Sequence, residues 1–91
     1  MADTTLRSYS DAEEARQARY RMLSMPVLLD TCQRLDAVAR RAELACQEAY
    51  GDEGTTDAEL ERLDAERRTS QREMWSARAV LSAKVQERSD V

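Results

Sequence analysis

The sequence predicts an all-α protein built on an antiparallel helical hairpin with coiled-coil-like packing. Three observations carry this reading. Charged residues make up 35% of the 91-residue chain and aromatics only 4%, a balance typical of long helices. One segment repeats apolar residues at alternating steps of four and three. No run alternates with period two, and Ile and Phe are absent, which leaves no strand candidate.

The first helix is predicted over about 11–24. Ser10 and Glu13 have the Ser-x-x-Glu spacing of a capping box, in which two side chains satisfy free amides of an opening turn. Residues 1–9 read as a flexible tail ahead of it. Pro26 cannot sit inside a helix without removing a hydrogen bond, but it fits a first turn. A break between helices is therefore expected just before it.

The second helix is predicted over about 26–50. Its stripe is Leu28, Cys32, Leu35, Ala39, Ala42, Cys46 and Ala49, with Val38 and Ala45 widening it. Asp30 and Asp36 each stand four residues before an Arg, an order that supports a helix on its outer faces. Gly51 is expected to stop this helix in the left-handed conformation, and residues 51–56 to form the loop.

Thr56 and Glu59 make a second capping box, opening a third helix over about 57–87. Its stripe is Leu60, Leu63, Arg67, Ser70, Met74, Ala77 and Leu81, polar at its middle, with Trp75 and Val85 beside it. Residues 51–66 carry seven acids and one Arg; residues 67–91 carry six bases and three acids. Acid first and base last is what the helix dipole favours. A short loop forces the second and third helices antiparallel. That fold is expected to bring Leu60 and Leu63 towards Leu44 and Cys46, and Met74 towards Cys32. The whole chain, residues 1–91, reads as one domain.

The core is thin. Of the apolar residues 14 are Ala and 19 are Leu, Val, Met or Trp, and Ala contributes little burial energy. A thin core, heptad stripes and a third helix longer than the second predict a homodimer.

Chemistry is scarce. The chain has no His and one Lys, so few groups titrate near neutral pH. Cys32 and Cys46 lack the close spacing of a zinc site, and on one helix they stand about 21 Å apart, too far for a bridge within the chain. Only two copies crossing antiparallel about Ala39 would set Cys32 against Cys46. No cofactor, metal or catalytic residue is predicted, and the chain is read as a non-enzyme. No apolar run approaches the ~20 residues of a membrane span, and Met1–Ser10 lacks the pattern of a secretory signal. The cytoplasm is the expected compartment.

What remains is a surface for another protein. The expected function is a small adaptor, regulator or inhibitor that docks a helical face on a larger protein, with an inhibitor of a nucleic-acid-handling complex as one form of it. Trp, Tyr and Arg dominate contact hot spots and Met supplies adaptable apolar contact, so the candidate contact residues are Trp75, Met74, Arg78, Tyr20, Met22 and Met25. Asp52, Glu53, Asp57, Glu59 and Glu61 form a candidate acidic steering surface. For Trp75 the alternative is that it closes the core. The alternative function is a nucleic-acid-binding regulator: 13 of the 14 basic residues are Arg, clustered at Arg16, Arg19 and Arg21 and again at Arg67, Arg68, Arg72 and Arg78. A net charge of −4 and interleaved acids weigh against it.

Overall fold

The computed structural model describes the backbone of residues 2–89 and the side chains of residues 11–88. The described chain is three helices: α1 (Ala2–Arg21), α2 (Met25–Gly51) and α3 (Asp57–Ser89). The packing of α2 on α3 forms the hairpin, and α1 packs on α3.

Helix α1 starts nine residues before the expected position and stops three earlier. Nothing between Ala2 and Asp11 breaks a helix, so Ser10 lies inside α1 rather than at its start. Glu13 turns its carboxylate forward instead, to Arg16 and Gln17. The break before Pro26 is where it was expected. Ser24 adopts an extended conformation as the N-cap of α2, Pro26 sits in the first turn, and the Leu28 N–H donates to the Ser24 carbonyl at 2.8 Å.

All seven stripe residues of α2 turn inward, with Leu28, Cys32, Ala39 and Cys46 buried and Leu35, Ala42 and Ala49 half-buried. The Asp30–Arg34 and Asp36–Arg40 pairs form on its outer faces, each at 3.1 Å. Val38 is 45% exposed, yet it lines the α2–α3 groove beside Ala42 and Ala45. Gly51 is not the left-handed stop. It stays helical, and no described residue has positive φ. Asp52 ends the helix in extended backbone, donating its N–H to Ala49, while its side chain accepts from the Gly54 N–H at 2.9 Å. That carboxylate closes the turn without a left-handed residue. Thr56 opens α3 as expected, accepting the Glu59 N–H at 3.2 Å.

The register of the hairpin differs from the expected one. Cys32 packs with Leu28, Ala77 and Val80, about one turn further along α3 than Met74. Leu44 faces solvent rather than Leu60 and Leu63. Arg67 lies against Cys46. The deepest part of the hairpin is the cluster in which fully buried Leu28 and Ala77 pack with Cys32 and Val80. Both thiols are thereby taken up inside the hairpin, which removes the antiparallel crossing that would have opposed Cys32 and Cys46.

The molecule is flat and open. Its extents are 56 × 38 × 17 Å and its radius of gyration is 16.4 Å, against about 12 Å for a folded chain of this length. Its accessible surface, 6947 Å², exceeds the roughly 5,400 Å² of an ordinary monomer of this mass.

Candidate docking face

Two seams position the surface. The α2–α3 seam is made of small and aliphatic groups around Leu28, Cys32, Ala77 and Val80, joined by Tyr20 and Leu23 from the α1 end. The α1–α3 seam is polar. The Ser76 hydroxyl is fully buried, 2.9 Å from Glu13 Oε1 and 2.9 Å from the Arg72 carbonyl, and its one proton can serve either. Hydrogen bonds from Gln17 and Arg16 hold the Glu13 carboxyl down to about 2, with Ser76 adding to the effect. Arg16 is itself mostly buried, and its Nε has no hydrogen-bond partner among the described residues.

At the other end of this seam, the Tyr20 hydroxyl donates to Glu73 and Arg19 reaches the same carboxylate at 3.1 Å. Burial first, and then the Glu73 bond, push the Tyr20 hydroxyl up to about 12. Lys84, the only lysine, donates to the Leu23 carbonyl at 2.6 Å, a cation placed at the C-terminal end of α1.

These seams turn α3 so that its third face is bare. Residues 57, 61, 64, 68, 72, 75, 79 and 82 follow helical spacing along it. Trp75 stands at its centre, 62% exposed, with Arg72 three residues before and Arg78 three residues after. Neither arginine makes an ion pair among the described residues, whereas Arg67 and Arg68 are both engaged by Asp64, at 2.6 and 3.4 Å. The acid nearest in sequence, Glu73, is turned to α1. The result is one indole between two guanidinium groups, of which Arg78 also borders Cys32 and Asp36 of α2.

The structure sorts the other expected contact residues. Met74, next to Trp75 in sequence, is buried at 8% exposure and belongs to the core: one residue is a 100° turn, which carries Met74 inward and Trp75 outward. Trp75 therefore does not close the hairpin core. Tyr20 is half-buried and committed to Glu73. Met22 is 88% exposed in the α1–α2 turn, and Met25 is half-buried beside Lys84, Glu87 and Arg88. So Trp75 and Arg78 share one face, and Met22 and Met25 lie elsewhere. Arg72 is the residue that the contact set lacked. Its spacing from Trp75 was the available signal.

Asp52, Glu53, Asp57, Glu59 and Glu61 are all exposed around the loop end, and none makes an ion pair among the described residues. Asp57 and Glu61 fall on the same α3 face as Trp75.

A groove of about 600 Å³ also opens between α2 and α3, where Ala42 and Ala45 oppose Ala65, Thr69 and Ser70. These side chains are too short to fill the space between the helices. Reactive chemistry is thin among the described residues. Burial pushes the Cys32 thiol above its ordinary value, against thiolate formation, with Arg78 acting weakly the other way. No group of three or more His, Cys, Asp or Glu is placed to hold a metal ion. No described helix is long and apolar enough to cross a membrane.

No protein-family model, curated protein or solved structure matches this chain. Its function is therefore argued from its own surface.

Proposed function

We propose that this chain is a non-enzymatic protein–protein interaction module, a small adaptor, regulator or inhibitor that docks the outer face of α3 on a larger protein in the cytoplasm. The observation that carries the reading is Trp75, exposed between Arg72 and Arg78, with neither arginine in an ion pair among the described residues. A single large aromatic held outward on a rigid helix brings much contact area at little entropic cost, and flanking guanidinium groups fit carboxylates in a fork geometry. The partner surface that suits this face is an apolar pocket rimmed by carboxylates. Two buried thiols with no disulfide fit a reducing compartment. A net charge of −4 supports a protein partner over direct binding of nucleic acid, and it suits an inhibitor that offers carboxylates where a nucleic-acid-handling complex expects phosphate.

The test is capture from source-cell lysate by the immobilised full chain, with and without nuclease, beside Trp75→Ala and Arg78→Ala. A protein retained by the wild type, insensitive to nuclease and lost in both variants at unchanged helicity supports the reading. Retention that disappears with nuclease transfers function to the arginine clusters. Equal capture by Trp75→Ala removes this face from the interaction.

A further inference from the structure

The bare face of α3 changes sign along its length. Asp57, Glu61 and Asp64 lie on its first half, and Arg68, Arg72 and Arg78 flank Trp75 on its second. Such a face is complementary to itself when it is turned end for end. Antiparallel pairing of two α3 helices about Arg68 sets Arg72 level with Asp64 of the second copy and Arg78 level with Asp57 and Ala58. Trp75 comes level with Glu61 of the second copy. At the pivot each Arg68 remains held by its own Asp64. The same residues read in parallel would oppose acid to acid and base to base.

The molecule as a whole has surface to spare. The accessible surface exceeds that of an ordinary monomer of this mass by roughly 1,500 Å², and a stable dimer asks for about 800 Å² per partner. A two-fold axis through Arg68 also closes the assembly at two copies, because each face is used once by its own counterpart.

We infer that a second copy of this chain covers the outer face of α3, in an antiparallel pairing that matches the acidic half of one helix to the Trp75–arginine half of the other. The inference rests on reading this face as an interaction surface. It adds that the face is closed in the free protein and that a larger partner reaches Trp75 by displacing the second copy.

The experiment is light scattering of the full chain from about 1 to 200 μM at low salt, with two charge-reversed variants. The pairing predicts twice the 10.4 kDa chain mass at the upper end, an association weakened at least about tenfold in ~0.5 M salt, and a Trp75 emission maximum that moves to the blue as the dimer forms. Arg72→Glu/Arg78→Glu and Asp57→Arg/Asp64→Arg should each be monomeric alone and should form a heterodimer when mixed. That recovery also shows that both variants are folded. A wild-type mass that stays at one chain across the range overturns the pairing, as does a dimer that ignores both reversals or variants that fail to pair. A monomer that still captures a partner through Trp75 sinks the pairing alone. A charge-matched dimer whose Trp75 contributes nothing to capture leaves the pairing standing and sinks the docking reading.

Discussion

The two sides of α3 are held by different physics. Against α2 it buries Ala77 and Val80 on Leu28 and Cys32, with no charge in that cluster. Against α1 it uses Ser76, Glu73 and Lys84, each answered by a polar group of α1 or of the turn after it. The first seam is non-directional and gains in proportion to area. The second depends on geometry and protonation, and each bond in it nets only about 1 kcal/mol. The hairpin is thus the stable unit, and α1 is an attachment that can loosen on its own.

The largest expected effect tests the first seam. Leu28 is fully buried, so Leu28→Ala should cost about 3 kcal/mol and lower the urea midpoint of the whole molecule. A loss confined to α1 would reverse the assignment of the two seams. Next is Glu73→Ala, which strips Tyr20 and Arg19 of their shared acceptor. About 1–2 kcal/mol should be lost, with amide exchange accelerating in α1 while α2 keeps its protection.

Acid and base sharpen the same contrast. The Glu13 carboxyl is held low, at about 2, so its contribution is complete above the ordinary range near 4.5 and is lost as pH falls towards 2. Tyr20 is shifted the other way, to about 12, so its contribution is complete below pH 10 and is lost as pH rises from 10 to 12. Protection of the α1 amides, taken relative to the intrinsic exchange rate at each pH, should therefore fall at both extremes while the centre of α2 responds less; equal response in both would show that the seams do not separate. The smallest effect is expected at Met22, 88% exposed in the turn. Met22→Ser should change stability by no more than about 0.5 kcal/mol, and a larger loss would mean that this turn is packed in the free protein.

The difference between the seams also explains what could be read in advance. The α2 stripe was legible because an amphipathic face is a local pattern: Leu28 to Ala49 repeats at the helical period, and every member turns inward. The Pro26 break and the Thr56 start are local chemistry too. The start of α1 was misread because a capping-box spacing is also an ordinary helical spacing, and Ser10 meets no breaker that would make it a boundary. The α1–α3 seam left no local trace. Glu13 with Ser76 and Tyr20 with Glu73 are separated by 63 and 53 residues, and side chains so far apart in the chain carry no shared period. The docking face was half legible: Trp75 and Arg78 were named from residue type, but Met74 was grouped with them and Arg72 was not.

By itself the sequence determined the class, the three helices, the antiparallel hairpin and the inward face of α2, because each follows from spacing and turn chemistry within a few residues. The tertiary structure alone decided the register, the seat of α1 and the fate of the indole. The register slid about one turn, a matter of how Leu28, Cys32, Ala77 and Val80 share the volume between two helices. Trp75 faces solvent because α2 and α1 occupy two sides of α3 and leave the third bare. No local pattern holds that information; it exists only once the helices have met.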